Sequence, residues 1–311
     1  MRLWTVRDVD GKVFLSPVYA KSSMNEVAFT IRSMQPDDIS SAMRLSTGEG
    51  WNQTEKDWNL FMANEGNTCL VAEYDHKVIA TTTAINYSQR VAWVAMVLVD
   101  KEYRGQGISR ALLQQVLEKL QSCKSVKLDA TPAGKDVYKR FDFSDEYPVA
   151  RMTNAQVKDF QLQERSGILP ELIQVTDIPG VVKFDETVFG ANRKQLIEYL
   201  VEEYPHKSWI IKRDNKIDGI ALGRDGNRFH HIGPVLAANT VDAKILIAAA
   251  LKTLSHQAVV LDVLYDKDDL FRWLHSIGFI QQRQFTRMYQ NHNPFPGLPN
   301  NQFLICGPEF G

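Results

Sequence analysis

Apolar residues along this chain follow two rhythms that predict different elements. Residues 91–99 are apolar almost throughout, which is typical of a central strand covered on both faces. Residues 108–120 instead carry apolar side chains at helical spacing, at Leu112, Leu113, Val116, Leu117 and Leu120. That stripe predicts a surface helix lying against a sheet. A strand and an amphipathic helix are therefore expected on either side of a short polar turn, residues 100–107.

Shorter patterns of the same kinds fill the rest of the first half. Apolar runs predict strands at residues 29–34, 69–74, 78–84, 126–131 and 147–152. Two helices are expected after the first strand, one opening near Pro36 and one capped by Thr54. Residues 1–28 form an extension, in which the pair Asp10-Gly11 favours the turn of a β-hairpin.

The second half repeats this plan with a period of roughly 135–140 residues, which predicts tandem similar domains. Residues 209–219 align with residues 70–80, so that Asp214 matches Asp75 and Lys216 matches Lys77. Residues 259–262 echo 126–129, and residues 276–279 echo 140–143. His230 and His231 lie on a predicted strand of this second repeat. Because strand neighbours point to opposite faces, at most one could face a cleft, and a structural role is favoured for both.

Composition removes several classes of function. The chain has 311 residues with a formal net charge of -1, which fits two domains and gives no case for nucleic acid or a membrane surface as partner. Its three cysteines are far apart, so zinc, a disulfide framework and any other metal site are not expected. No segment has the ~18 apolar residues of a membrane span. A cytoplasmic protein is the expectation.

The turn at residues 100–107 carries the candidate chemistry. Gly105 and Gly107 precede a helix start, where unpaired backbone N–H groups attract phosphate and glycine lets the backbone come close. Arg104 and Arg110 add positive charge at the two ends. No Gly-Lys-Ser/Thr triplet follows, so the turn is not a P-loop, and Arg110 breaks the dinucleotide-binding glycine pattern.

The order Arg-x-x-Gly-x-small at Arg104, Gly107 and Ser109 resembles the coenzyme A pyrophosphate loop of the GNAT superfamily of acyl-CoA-dependent N-acyltransferases. A second segment supports the resemblance, because Tyr138 and Phe143 match the family's tyrosine and later Gly-Phe pair. Three positions depart from it: Ser109 replaces Gly or Ala, Asp142 replaces Gly, and Thr131 replaces Asn. The resemblance covers about residues 29–311 and is strongest at 90–143.

The resemblance implies an α/β fold of tandem domains, each a mixed, mostly antiparallel sheet flanked by helices. The expected boundaries are 29–155 for the acetyl-CoA-binding domain and 165–311 for a second domain that lacks the pyrophosphate loop. Trp51 and Asn52 are implied contacts of the acceptor. The implied acetyl-CoA-binding residues are Val97, Leu98, Val99, Arg104, Gly105, Gln106, Gly107, Ile108, Ser109, Arg110 and Thr131.

The reaction implied by the resemblance is acetyl transfer from acetyl-CoA to an amine, with Tyr138 protonating the leaving thiolate and an N–H group of residues 97–99 binding the thioester carbonyl. The strand at 91–99 contains no Asp, Glu or His. The base must therefore come from elsewhere, and Glu49, Asp129 and Glu73 are unranked candidates.

Three interpretations of function stay open at this point. The first is an N-acetyltransferase acting on the primary amine of a small molecule or an amino-acid-like acceptor. The second is a non-catalytic acyl-CoA-binding or regulatory module, and the third is a protein-lysine acetyltransferase. A monomer or a homodimer is expected.

Overall fold

The computed structural model describes residues 2–7, 13–18, 28–162, 167 and 169–311. It divides into two compact units. Unit 1 comprises Met1–Asn86 and Val94–Ser122, and unit 2 comprises Tyr87–Trp93 and Cys123–Gly311. The domain boundaries expected near residues 155 and 165 follow the sequence repeat rather than these compact units, and they stay a prediction.

Unit 1 contains a separate two-stranded sheet and four further strands, with helices packed against them. Its strands are β1 (Arg2–Arg7), β2 (Val13–Val18), β3 (Thr30–Ser33), β4 (Thr68–Tyr74), β5 (Lys77–Tyr87) and most of β6 (Val91–Val99), and its helices are α1 (Ile39–Gly48), α2 (Glu55–Met62) and α3 (Ile108–Lys119). Strands β1 and β2 pair antiparallel, and the predicted Asp10-Gly11 turn lies outside the described residues. Strands β3, β4 and β5 pair antiparallel, and β6 follows in order.

Local sequence explains how the helices of unit 1 begin and what they bury. Thr54 and Asp57 cap α2 reciprocally, since each side chain accepts the backbone N–H of the other residue. The apolar stripe predicted for residues 108–120 is buried at Leu112, Leu113 and Val116. This confirms α3 as a helix that covers the sheet.

Unit 2 is built on a longer sheet. Its strands are β7 (Ser125–Ala130), β8 (Ser144–Asn154), β9 (Glu171–Leu172), β10 (Trp209–Arg213), β11 (Lys216–Arg224), β12 (His230–Ala237), β13 (Val259–Leu264), β14 (Ile280–Gln290) and β15 (Gln302–Leu304). Its helices are α4 (Pro132–Lys139), α5 (Ile178–Phe189), α6 (Lys194–Glu203), α7 (Thr240–Lys252) and α8 (Asp268–Ser276). The strand order is β7-β14-β8-β13-β15-β12-β11-β10-β9.

Most strand pairs are antiparallel, as expected. The parallel pairs are β6 with β7, through residues 91–93 and 125–127, and β12 with β13, through residues 230–232 and 259–261. These pairs occupy equivalent places in the two sequence repeats. The mixed, mostly antiparallel sheet flanked by helices is therefore confirmed.

Backbone conformation also follows the repeat. Asp75 and His76 are left-handed at the β4–β5 turn, and Asp214 and Asn215 are left-handed at the β10–β11 turn. Asp142 before Phe143 has a φ of 61°, and Gly278 before Phe279 has a φ of 93°. Aspartate tolerates this conformation better than most residues, which explains how it stands where glycine is usual.

The last long strands of the two repeats, β8 and β14, are exchanged within unit 2. Strand β14, from the second repeat, pairs with β7 and β8 of the first, and β8 pairs in turn with β13 of the second. Two buried ion pairs of matching geometry join the exchanged strands. Arg287 on β14 contacts both oxygens of Asp129 on β7 at 2.9 Å, and Arg151 on β8 contacts both oxygens of Asp262 on β13 at 2.8 Å. Each final strand is therefore bound to the other repeat.

Candidate active site

The loop between β6 and α3 has the backbone that a phosphate site needs. It makes a 3-10 turn at Lys101–Tyr103, and Gly105 and Gly107 then adopt φ angles of 79° and 80°. Gly107 is the residue that caps α3, and it has no side chain to occupy the N–H groups of the first turn. No acidic residue lies in that turn. An anion at this helix start meets N–H donors and the positive end of the helix dipole.

Asp100 fixes the start of this loop. Its N–H donates to the Ile79 carbonyl at 2.8 Å, its carboxylate accepts from Arg44 at 2.7 Å, and it also accepts the backbone N–H of Glu102. Partial burial opposes ionisation of Asp100, but hydrogen bonds from Arg44 and the Glu102 N–H, together with the charge of Lys77, lower its pKa. The loop is therefore anchored through its first residue.

Arg104 joins three parts of unit 1. Its Nε donates to the Val99 carbonyl at 3.0 Å, and its Nη2 donates to Glu49 Oε1 at 2.7 Å. Glu49 follows α1 and directly precedes the predicted acceptor residues. The structure thus brings together Glu49, Arg104 and the end of β6 through direct contacts that no local sequence pattern predicts. Of the other loop residues, Gln106 and Ser109 are half-buried, Ile108 is buried, and Arg110 is exposed.

Strand β6 is irregular just before the predicted thioester-binding residues. Met96 has a φ of 52°, which a regular strand does not allow, and its carbonyl accepts the Thr81 hydroxyl at 2.8 Å. Val97, Leu98 and Val99 follow immediately. The left-handed residue turns the backbone locally, as a bulge does.

The predicted acceptor contacts lie in the segment that joins α1 and α2. The Trp51 side chain is half-buried and Asn52 is buried. Sequence reasoning missed Gln53, whose Oε1 is buried and lacks a hydrogen-bond partner within the part of the chain that the structure describes. A buried polar atom of this kind is uncommon, which adds Gln53 to the acceptor candidates.

The carboxylates named as candidate bases differ in availability. Both oxygens of Asp129 are buried and held by Arg287, which also contacts the Tyr147 hydroxyl. Glu73 pairs with Arg32. Glu49 is paired too, and its side chain keeps 27% of its exposure against 25% for Glu73. Glu49 is the one bonded to Arg104 of the candidate phosphate loop, which favours it as the base, whereas Asp129 is held by Arg287.

Thr131 and Tyr138 belong to the start and end of α4 in unit 2. Thr131 caps the helix by accepting the Gly134 N–H at 3.2 Å. The Tyr138 ring packs edge-on against Phe143, with ring centres 6.0 Å apart. A Cβ on Gly134 would lie 3.1 Å from the Tyr138 ring, so glycine makes room for it. Burial raises the pKa of Tyr138 to about 12.

The second repeat differs at the helix that corresponds to α3. Asn239 caps α7 by accepting the Asp242 N–H at 3.0 Å. The Asp242 carboxylate in the first turn is buried and pairs with Arg213 at 2.6 Å. A side-chain cap and a carboxylate therefore occupy the positions where a phosphate would need donors and positive charge.

In the second repeat, a further strand lies between the two strands that correspond to β6 and β7. Beyond their short parallel pairing, β12 and β13 both pair with β15, which lies antiparallel between them. Nearby, the two histidines point differently, as predicted. His231 is buried against Asp262, whereas His230 is half-buried and contacts Asp225. Burial lowers the pKa of His231. This region is a packed core.

Two other kinds of feature are absent from the described residues. No group of His, Cys, Asp or Glu within them has a geometry suited to a metal ion. None of the helices in the described ranges has both the length and the apolar character needed to cross a membrane.

Comparison with known proteins identifies the family. Two domain families, each described as Acetyltransferase (GNAT) domain, match residues 36–159 and 181–304. The chain belongs to the GNAT acetyltransferases. It is an N-acyltransferase with two GNAT domains in tandem.

Curated relatives are distant but nearly as long as this chain. A holothin acyltransferase of Pseudoalteromonas sp. (strain SANK 73390) is 22% identical over 247 residues, covering 79% of this chain and 82% of the relative. An uncharacterised N-acetyltransferase of Bacillus subtilis (strain 168) is 18% identical, covering 82% and 89%.

Solved structures share the fold. A putative acetyltransferase from Pyrococcus horikoshii superposes with a TM-score of 0.75 at 18% identity, covering 95% of this chain and 99% of its own. A tandem GNAT protein from the clavulanic acid biosynthesis pathway has a TM-score of 0.59 at 11% identity, covering 84% and 98%.

Proposed function

We propose that this protein transfers an acetyl group from acetyl-CoA to the primary amine of a small molecule or an amino-acid-like acceptor. The observation that supports it most strongly is the start of α3, where two left-handed glycines precede a helix without a side-chain cap and Arg104 lies in the same loop. This arrangement suits the pyrophosphate of coenzyme A. The remaining residues proposed for it are Gly105, Gln106, Gly107, Ile108, Ser109 and Arg110, with Thr131 as a further acetyl-CoA contact.

The proposed reaction is direct attack of the amine on the thioester. An amine with a pKa near ~10.4 is free base in about one molecule in 10³ at pH 7, so deprotonation costs about 4–5 kcal/mol without help. Glu49 is the proposed base, acting directly or through water. A backbone N–H of Val97, Leu98 or Val99 stabilises the oxyanion of the tetrahedral intermediate.

Tyr138 is the proposed acid that protonates the departing thiolate. A thiol has a pKa near ~8.5 and a free tyrosine near ~10, so a tyrosine hydroxyl can protonate the departing thiolate, although burial makes Tyr138 a weaker acid than a free tyrosine. A pKa of about 12 keeps Tyr138 protonated throughout the neutral range. Trp51 and Asn52 contact the acceptor in this proposal.

The proposal includes one acetyl-CoA site per chain, in the domain at residues 29–155. This is supported by the equivalent helix start in the domain at residues 165–311, which carries the Asn239 cap and the Asp242 carboxylate, and by β15, which lies between β12 and β13. A cytoplasmic location and a monomer or homodimer complete the proposal.

Thiol release from acetyl-CoA tests the function directly. The full chain is incubated with acetyl-CoA and panels of small amines, amino acids and lysine-containing peptides. Release with small amines supports the proposal, and release with peptides alone favours protein-lysine acetylation. Tight acetyl-CoA binding without release in any panel would favour a binding module. Longer acyl-CoAs belong in the panel because the Pseudoalteromonas relative is named an acyltransferase.

A further inference from the structure

The Arg104 guanidinium in unit 1 already has an anionic partner. Arg104 occupies the first position of the proposed pyrophosphate loop, and its Nη2 is bonded to Glu49 Oε1 at 2.7 Å. Lys101, in the same loop, reaches the Glu49 carboxylate at 3.6 Å and the Gly48 carbonyl at 3.3 Å. A phosphate that binds Arg104 must share or replace this carboxylate.

Glu49 lies at the start of the segment that carries the predicted acceptor contacts, Trp51 and Asn52. Glu49 ends α1, with its N–H on the Ser46 carbonyl, and the Trp51 N–H donates to that same carbonyl at 3.0 Å. Gly50 between them has a φ of 66°. Movement of Glu49 therefore shifts a tight turn that carries Trp51 and Asn52.

The Arg104 end of the ion pair has anchors that do not involve Glu49. Asp100 holds the loop through the Ile79 carbonyl and Arg44, and Arg104 Nε remains bonded to the Val99 carbonyl. The guanidinium is therefore presented to an anion whether or not Glu49 is bound to it.

We propose that Glu49, in addition to its proposed role as base, couples the binding of the two substrates. In the free protein its carboxylate neutralises Arg104 and holds the acceptor turn against the loop. When the donor binds, its pyrophosphate replaces Glu49 as the partner of Arg104. This exchange releases Glu49 and residues 50–52, which can then move toward the acceptor. This coupling rests on the proposed function, and it predicts that the donor binds before the amine.

The test compares coenzyme A binding by calorimetry in the full-length wild type, Glu49→Gln and a matched control. Glu102→Gln removes the same charge from an exposed residue of the same loop that has no side-chain bond to Arg104 in the described structure. Exposed ion pairs are weak, so Glu49→Gln should tighten coenzyme A binding ~2–5-fold. Glu102→Gln should leave the affinity within error.

Amide hydrogen exchange distinguishes this coupling from a purely structural role of Glu49. Coenzyme A should accelerate exchange at residues 49–51 in the wild type, and Glu49→Gln should show fast exchange without it. Because Glu49→Gln leaves residues 50–52 released before the donor binds, the acceptor KM should not rise while donor affinity improves, and loss of the proposed base should lower kcat. If the wild type binds coenzyme A and Glu49→Gln binds no more tightly, the coupling is overturned alone. If the wild type does not bind coenzyme A, the proposed function is overturned as well.

Discussion

Tyr138 is the residue whose predicted role depends most on its surroundings. Replacing it with phenylalanine keeps the edge-on packing against Phe143 and removes the hydroxyl. General acid catalysis typically contributes 10²–10⁴-fold, so Tyr138→Phe should lower kcat by about 10²-fold with acetyl-CoA affinity nearly unchanged. Steady-state kinetics with binding calorimetry measures both quantities.

The control for this variant is Tyr265→Phe, which alters a half-exposed tyrosine elsewhere in unit 2. It should retain wild-type kcat. Because the pKa of Tyr138 is about 12, loss of rate between pH 8 and pH 10 should not come from its ionisation. Unchanged turnover in Tyr138→Phe would remove the general-acid assignment.

Gly107 tests the phosphate loop through backbone conformation alone. A Cβ at this position meets no atom within 4 Å, but a φ of 80° disfavours a β-branched residue. A left-handed residue other than glycine costs roughly 1–2 kcal/mol, and relief of that strain moves the N–H groups at the start of α3. Gly107→Val should therefore weaken acetyl-CoA binding at least ~10-fold in a folded protein.

Gly48→Val is the matched control, since Gly48 also has space around a Cβ and lies at the end of α1 without a left-handed φ. Circular dichroism should show native structure in both variants. A folded Gly107→Val protein that binds acetyl-CoA as tightly as the wild type would contradict the loop assignment.

At the scale of elements, sequence and structure agree on the strands, helices and caps that neighbouring residues determine. The apolar run at 91–99, the stripe that became α3 and the Thr54 cap were predictable because periodicity and capping are properties of neighbouring residues. The ion pair of Glu49 with Arg104 was not, because it joins residues 55 apart in sequence. The left-handed Met96 likewise depends on contacts made with another strand.

The capped start of α7 yields a prediction of its own. Asn239→Ala removes a side chain that accepts the Asp242 N–H, and loss of such a cap costs about 1 kcal/mol. Thermal unfolding should shift downward by roughly 2–4 °C. Acetyl-CoA affinity should stay constant, since α7 carries no donor site in our proposal. Asn227→Ala, at an exposed position between β11 and β12, should change neither quantity. A large loss of acetyl-CoA affinity in Asn239→Ala would contradict the single-site proposal.

At the scale of the molecule, the repeat was visible in the sequence but the exchange of strands was not. Residues 144–154 and 280–290 both have strand character, and nothing in a strand's own pattern names its partner. The informative residues are Asp129 and Asp262, which occupy equivalent positions in the repeats. Each pairs with an arginine on the other repeat's final strand. Burial of two such pairs favours one register for the exchanged strands.

A double-mutant cycle across Arg287 and Asp129 tests whether this pair joins the repeats. Arg287→Met leaves the Asp129 carboxylate buried without its partner, which should cost about 3–5 kcal/mol of unfolding free energy. Adding Asp129→Asn removes the stranded charge and should recover at least ~2 kcal/mol, measured by denaturant unfolding. The exposed pair Arg90–Glu186 is the comparison and should show a coupling of at most ~1 kcal/mol. Strictly additive losses at Arg287 and Asp129 would show that the exchanged strands are held by apolar packing and backbone pairing alone.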